Sequence, residues 1–315
     1  MKKLISVVTA CFNEEENVEL LYNEVRTVFE KQTEYQYEHI FIDNASKDRT
    51  VPILKEIAKN DQNVKIIVNA RNFGHIRSPF YGLLQARGDA VISIVADFQD
   101  PPSMIPDFIK KWEEGYKIVV GVKSQSEENP LMFMIRKSYY NLLYNLSEVD
   151  QIKNFTGFGL YDQKIIEILR TIDDPYPFMR GLISEIGYDT FCIEYKQPIR
   201  KRGITKNNFY SLYDMAMLGI TNYSKVPLRL ATLLGFGIAV LSLVIAIIYL
   251  IYKIVFWESF SVGIAPLVIG LFFFSAVQLF FIGVIGEYIG SIYTQVLKRP
   301  LVIERERINF KERQN

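Results

Sequence analysis

The chain has little of what most often marks a metal or redox centre. Its 315 residues hold two cysteines and two histidines. Cys11 and Cys192 lie far apart, and two isolated thiols fit a reducing compartment with no metal framework. An excess of one charge is also missing. Thirty-six Lys plus Arg against 35 Asp plus Glu leave a net charge of +1, so no global field draws the chain to nucleic acid. No G-x-G-x-x-G or G-x-x-x-x-G-K-[ST] follows a strand, which excludes the usual glycine cradle for phosphate. The first residues, Met1-Lys2-Lys3-Leu4-Ile5-Ser6, lack the hydrophobic length and cleavage signal of a secretory peptide. The amino end is therefore expected in the cytoplasm.

What is present begins with one stretch. Ala90 to Val95 is a β-branched apolar run preceded by Gly88, the pattern of a strand inside a parallel sheet. It ends abruptly in Ala96-Asp97-Phe98-Gln99-Asp100-Pro101-Pro102. Ligands of open α/β sheets bind at the carboxyl ends of such strands. Asp97, Gln99 and Asp100 offer only hard oxygen donors, the set suited to Mg²⁺ or Mn²⁺ carrying a phosphate. The same residues also describe an ordinary strand-to-helix turn capped by Asp100 or Ser103, and the stretch alone leaves both readings open.

The alternation recurs along the first part of the chain. Leu4–Ala10, His39–Asp43, Val64–Val68, the stretch above and Lys117–Val122 read as strands, each followed by a polar turn or a helical pattern. Asn13 is predicted to cap a helix carrying Val18, Leu21, Tyr22, Val25 and Phe29, with Glu14, Glu15 and Glu16 in its first turn. Ile53, Leu54, Ile57 and Ala58 mark the next helix. This order argues an α/β fold with a doubly wound, mostly parallel sheet. Beyond Gln125 come an aromatic-rich helical segment, Leu131–Leu146, and a helix over Lys164–Leu169. Lys196, Arg200, Lys201, Arg202 and Lys206 form a basic run with no acid among them. Phe209–Tyr223 has the mix of aromatics and few charges of a helix at a membrane surface, or of one packed in a core.

Leu230–Ile251 contains no charged residue, and a second such run spans Val262–Ile285. At about 1.5 Å per residue each is long enough for a hydrocarbon core of roughly 30 Å. The short Tyr252–Ser261 connection makes the pair a hairpin. Lys225, Arg229, Lys298 and Arg299 flank it, so the positive-inside rule predicts a multi-pass cell-membrane protein with both termini cytoplasmic. The predicted division is a cytoplasmic domain over 1–208, an interfacial amphipathic region over 209–227, a transmembrane hairpin over 228–290 and a cytoplasmic tail over 291–315.

Four segments in this order resemble a known family: Thr9-Ala10-Cys11-Phe12-Asn13-Glu14-Glu15, Asp43-Asn44-Ala45-Ser46-Lys47-Asp48, Arg71-Asn72-Phe73-Gly74-His75 and Ala96-Asp97-Phe98-Gln99-Asp100-Pro101-Pro102. They resemble family 2 glycosyltransferases of GT-A fold, and most closely the polyisoprenyl-phosphate glycosyltransferases, the group of bactoprenol glucosyltransferase and dolichol-phosphate mannose synthase. The likeness continues through Arg180-Gly181, Arg202-Gly203-Ile204-Thr205-Lys206, Pro227-Leu228-Arg229 and Gly286-Glu287-Tyr288-Ile289-Gly290 to Lys298-Arg299-Pro300. It implies a metal-dependent hexosyltransferase that moves a sugar from a nucleotide sugar to a polyisoprenyl phosphate at the cytoplasmic leaflet, with inversion. Glucose from a UDP-linked donor is the group's frequent case. Carried over by position, Thr9, Ala10, Asn13, Glu14, Asp43 and Arg71 would hold the nucleotide, and Asp97 and Gln99 the metal. Asp97, Asp100, Arg202 and Lys206 would serve catalysis, and Arg180, Arg200, Arg202 and Lys206 the lipid phosphate. Related bacterial enzymes imply a homotetramer built through the membrane helices, and the lipid-linked sugar would feed O-antigen or cell wall synthesis.

Three departures bear on the chemistry. Val95-Ala96-Asp97 stands where many members have Asp-x-Asp, Asn44-Ala45 where Asp-Gly is common, and Gly157-Phe158-Gly159-Leu160 where many have Asp-Phe-Arg-Leu. The acid sometimes proposed as a base is thus absent. A phosphate monoester with a second pKa near 6 is already largely dianionic at neutral pH and needs no base. Arg180, Arg200 or Arg202 would replace the arginine lost at Gly159. Two alternatives remain. A processive membrane polysaccharide synthase would need more spans and a Gln-x-x-Arg-Trp motif, and neither Trp112 nor Trp257 has that context. A catalytically inactive lipid- or nucleotide-binding assembly subunit would tolerate Val95 and Gly157.

Overall fold

The four expected parallel strands are β1 (Leu4–Cys11), β2 (Gln36–Asp43), β3 (Val64–Asn69) and β4 (Ala90–Val95). Along β1 the side chains alternate, Ile5 and Val7 entering the core on one face and Val8 the core on the other. Helices α1 (Val18–Lys31) and α2 (Thr50–Asn60) cover the first face, and α3 (Gly74–Gln85) covers the second. The chain continues through α4 (Ile105–Glu113) and β5 (Ile118–Gln125) to β6 (Phe155–Asp162), α5 (Gln163–Thr171), α6 (Met179–Ile186) and β7 (Thr190–Lys196). Two long helices, α7 (Val226–Val255) and α8 (Ile264–Val296), precede a last strand, β8 (Glu304–Ile308). This computed structural model describes residues 2–125, 152–198, 217–222, 224–256 and 264–310. The expected helix over Leu131–Leu146, the basic residues Arg200, Arg202 and Lys206, and much of the interfacial region lie outside them.

Among the described residues eight strands form one sheet, in the order β7-β5-β6-β4-β1-β2-β3-β8. It is doubly wound and mostly parallel as the sequence predicts, with two antiparallel insertions. β6 runs antiparallel between β4 and β5, and β8 antiparallel beside β3. α1 begins later than expected. Asn13 has a positive φ of 54°, and the Glu14 carbonyl accepts the N–H groups of both Asn17 and Val18, so Asn13 to Asn17 turn rather than wind a helix. Asn13 is not the cap, and the acid in the first turn is Glu19. Asp100 and Ser103 do not cap α4 either, since its N-cap is Met104 and makes no side-chain bond.

β6 fits against β5 with no room to spare. A Cβ at Gly159 would stand 2.5 Å from the Val119 carbonyl oxygen, closer than van der Waals contact permits. An arginine, which the family resemblance implies at this position, therefore has no space on this backbone. Gly159 is a packing requirement, not a vacancy waiting for a substitute.

The long helices are not core helices. Apolar stretches over Val226–Ile245 and Gly270–Val296 are long enough to cross a membrane, and none of either is buried in the protein. Phe236 and Phe272 are each 71% exposed. After α8 the chain does not trail away as a tail. Ala70 N–H donates to the Ile303 carbonyl, β8 pairs with β3, and Lys55 reaches Glu306 at 2.6 Å. One stripe of α3 grips this returning segment: Arg77 donates to the Pro300 carbonyl, Tyr81 donates to Glu304 and Gln85 accepts from Arg307. At the hairpin's base, Tyr288 donates to the Ser224 carbonyl, Gln295 to Asp174 and Lys298 to Asp173.

Gly159→Ala should lower stability by about 1–3 kcal/mol, the usual cost of overpacking. Thermal unfolding of the detergent-solubilised protein measures it, and an unchanged midpoint contradicts the close approach of β5 and β6.

Candidate active site

Because β1 to β4 are parallel, their carboxyl ends and the turns that follow share one edge. That edge collects Cys11–Glu14, Asp43–Ser46, Asn69–Phe73 and Ala96–Asp100. β6, antiparallel to β4, begins at this edge. Extending its pairing of Gly159 with Ser93 by two residues sets Gly157 beside Val95. β7 is parallel to β5 and also ends here at Lys196, so the basic run departs from the same edge. Arg180, in the first turn of α6, lies within electrostatic reach of His75 in the first turn of α3.

The turns after β1 and β2 are tied together. Asn13 N–H donates to Ser46 Oγ at 2.8 Å, and Asn13 Oδ1 accepts from Lys47 N–H at 2.8 Å. Glu14 N–H donates to Thr50 Oγ1 at 2.9 Å, while the Glu14 carboxylate accepts from Asn17 at 2.6 Å. Asp43 closes its own turn by accepting Ser46 N–H at 3.0 Å. Its other oxygen, Oδ1, is buried with no hydrogen-bond partner. Burial pushes the Asp43 carboxyl above the usual range, only partly offset by its bonds to Ser46 and the Ala45 N–H. Thr9 faces the core, where its hydroxyl meets His39 Nε2 at 2.9 Å. Thr9 thus supports the edge from beneath, while Ala10 is partly exposed.

Asn44 joins the third turn to the other two. Its Nδ2 donates to Asn72 Oδ1 and to the Gly74 carbonyl, both at 3.0 Å, and its Oδ1 accepts from Phe73 N–H at 2.8 Å and from Asn69 at 3.2 Å. An aspartate, which accepts but cannot donate when ionised, would leave two of these bonds unmade. The departure from Asp-Gly at this position therefore has a structural cause. Arg71 is exposed, with its guanidinium 4.1 Å from the centre of the Phe73 ring and one nitrogen donating to the Asn72 carbonyl.

The turn after β4 separates the three oxygen-bearing residues. Asp97 and Gln99 are partly exposed, and Asp97 Oδ1 accepts Gln99 N–H at 3.2 Å. Asp100 is buried instead. One oxygen accepts the Tyr195 hydroxyl at 3.1 Å and the other the Val95 N–H at 3.3 Å. Burial raises its pKa to about 6, with Lys123 and the Tyr195 bond pulling the other way. In this arrangement Asp100 shapes the turn that carries Asp97, and Phe98, at a φ of 61°, completes its reversal. Among the described residues no three His, Cys, Asp or Glu side chains converge as a ready metal cluster. Mg²⁺ is commonly held by one or two carboxylates plus substrate phosphates and water. Asp97 with the Gln99 amide oxygen fits a cation of that kind, whereas both oxygens of Asp100 are already engaged.

The carboxyl edge of a doubly wound, mostly parallel sheet is where ligands of such folds bind, and with its antiparallel β6 this sheet has the GT-A fold that the sequence resemblance implies. Residues 6–168 match the family described as Glycosyl transferase family 2, and the chain belongs to that family. It is 36% identical over 300 residues to the SfII prophage-derived bactoprenol glucosyl transferase of Shigella flexneri, covering 95% of this chain and 96% of that one. It is 35% identical over 299 residues to the uncharacterized glycosyltransferase YkcC of Bacillus subtilis, covering 95% and 92%. Among solved structures it is similar to glucosyl-3-phosphoglycerate synthase from Mycobacterium tuberculosis in complex with Mn²⁺, UDP and phosphoglyceric acid. That likeness has 17% identity and a TM-score of 0.48, over 70% of this chain and 76% of the other.

The linking role of Asn44 and the bond of Tyr195 to Asp100 were not legible in the sequence, whereas His39, a histidine inside a strand, is expected to be structural and does support Thr9. His39 is a polar residue inside the otherwise apolar β2, whereas Asn44 follows that strand and Tyr195 lies in the weakly patterned β7, so neither carried a signal. Asn44→Ala should cost about 2–3 kcal/mol, since it strands several buried partners, and should raise the donor KM. A variant with wild-type unfolding and wild-type KM contradicts that role. His39 is fully buried, which lowers its pKa from 6.5 to about 3. The unfolded chain takes up this proton first, so stability falls as pH drops from 6.5 towards 3, by at most about 1.4 kcal/mol per pH unit. His39→Gln should flatten that slope in pH-dependent unfolding, and equal slopes contradict it.

Proposed function

We propose that the protein transfers a glycosyl group, glucose from UDP-glucose, to a polyisoprenyl phosphate such as undecaprenyl phosphate at the cytoplasmic leaflet, with inversion. The observation that carries this reading is the fastening of the site-bearing sheet to the end of an unburied apolar hairpin through β8 and α3. A long polyprenyl tail stays in the bilayer while its phosphate sits at the interface, where a sheet so tethered meets it. The name of the Shigella flexneri relative, bactoprenol glucosyl transferase, supports glucosyl transfer to a polyprenyl acceptor.

The chain's own residues suit a direct displacement. A lipid phosphate oxygen bonds to the anomeric carbon as the bond to the nucleoside diphosphate breaks, and the bonding pair leaves with the diphosphate. Mg²⁺ or Mn²⁺, when bound, neutralises the departing diphosphate. Asp97 and Gln99 would hold that ion, with Asp100 and Tyr195 fixing the turn. Asp43 Oδ1, buried and without a hydrogen-bond partner, would accept an N–H of the base. Gly157 provides no carboxylate beside the site, and the dianionic acceptor requires none. Arg180, at the same edge, adds positive charge for the two phosphate groups. Arg200, Arg202 and Lys206, outside the described residues, would add to that charge.

Purified full-length protein given UDP-glucose, undecaprenyl phosphate and Mg²⁺ should form one glycolipid. A polymer would point to a processive synthase, and no product with any of a panel of nucleotide sugars would point to an assembly subunit. Asp97→Asn should reduce turnover about 100-fold or more, as loss of a transition-state charge partner does. Metal-dependent transfer at the wild-type rate in that variant would overturn the assignment of Asp97.

A further inference from the structure

Past its uncharged run, α8 carries a polar stripe. Tyr288, Ser291 and Gln295 recur at the three- and four-residue spacing that puts side chains on one face of a helix. Tyr288 donates to the Ser224 carbonyl, Ser291 to Asn222 at 3.0 Å and Gln295 to Asp174 at 2.9 Å. Asn222 and Ser224 lead into α7, whereas Asp174 belongs to the catalytic domain, between α5 and α6. Glu287 is the first charged residue after the run, and Gln295 lies roughly 12 Å further along the axis, at 1.5 Å per residue. The stripe is therefore bonded to protein at a level beyond the apolar span.

The bond to Asp174 leads directly to the site. The same oxygen, Oδ1, that accepts from Gln295 also accepts the Tyr176 N–H at 2.8 Å. Pro175, Pro177 and Phe178 are buried around that amide, and α6 starts at Met179. Arg180 follows in the first turn, at the site edge and within electrostatic reach of His75. The connection from Asp174 to Arg180 is thus short, and its two prolines fix φ at two positions. A hold on Asp174 limits where the guanidinium can stand. We propose that Asp174, clasped by Gln295 of α8, is a positioning residue that sets Arg180 in register with the phosphate of a membrane-borne acceptor. This rests on the acceptor proposed above and adds to it the pair that aligns site and bilayer. A phosphate monoester free in water can follow Arg180 wherever its turn settles. One on a polyprenyl chain is held at the interface and cannot.

The test gives the full chain in lipid nanodiscs two acceptors, undecaprenyl phosphate in the bilayer and a short-chain prenyl phosphate that stays in water. Asp174→Ala and Gln295→Ala should each raise KM for the bilayer acceptor about threefold to tenfold, as loss of a single hydrogen bond does. The kcat, the donor KM and the KM for the water-soluble acceptor should not change. Asp174→Asn keeps an oxygen for both donors and should behave as wild type. Unchanged KM in both alanine variants overturns the proposal. Equal rises for the two acceptors, or a fall in kcat alone, also overturn it, because they mean damage to the cleft itself. Hydrogen exchange reads the tie without catalysis. Gln295→Ala should speed exchange at the Tyr176 amide and in the first turn of α6, and unchanged exchange there overturns the tie. Absence of glycosyl transfer in wild type, with exchange responding as expected, would sink the proposed function and leave the tie standing.

Discussion

The pairing of β8 with β3 is the constraint on which the rest of the molecule depends. A sheet edge has unpaired N–H and C=O groups, and here a strand that has first passed through two apolar helices fills it. The chain must therefore leave the sheet after β7, run through α7 and α8 and come back. The end of α8 is drawn to the sheet-bearing body, where Asp173 meets Lys298, and Tyr288 ties α8 to Ser224 at the start of α7. The exposed ion pair at Lys298 contributes little by itself. The ladder, the Asn309 bonds to the Ala58 and Val64 carbonyls and the α3 stripe act together.

The site edge inherits its order from this arrangement. α3 holds the returning segment on its outer stripe and begins directly after the loop that Asn44 fastens to β2. Hydrogen-bonded contacts thus run from the end of α8 through α3 and Asn44 to the turn beside Asp43. Asp100 and Tyr195 perform the same task on the other side, linking β7 to the turn of Asp97. Buried polar groups are costly when unpaired and rigidify their surroundings when paired. At this edge most of them are paired with other turns, which leaves Asp97 and Gln99 partly exposed at the rim.

Much of the fold was legible because parallel strands buried on both faces are continuous apolar runs. β1 to β4 carry that pattern, as do the helices whose buried residues recur at helical spacing. The strands that escaped notice lack it. Four of the five residues of β8, Glu-Arg-Glu-Arg-Ile, are charged, as suits an edge strand, and nothing local distinguishes them from a solvated tail. β6 carries two glycines and β7 alternates weakly along the outer edge. The misplaced start of α1 has a similar origin. Asn13 has the right chemistry for a cap, but its carboxamide is taken by Lys47, far along the chain. Asp100 likewise looks equivalent to Asp97 in sequence, and only the approach of Tyr195 makes one a buried support and leaves the other at the rim.

By itself, the sequence determined the α/β alternation, the two apolar spans and the oxygen-bearing turn after β4, because each depends on side chains close together along the chain. Tertiary structure decided which turns share an edge, which carboxylate is buried and which stands at the rim, and where the segment after the second span goes. Those outcomes depend on partners up to 251 residues apart, as in the Lys55 and Glu306 pair. Local pattern reports what a segment prefers to be, whereas a contact between distant segments exists only once the sheet has brought them together.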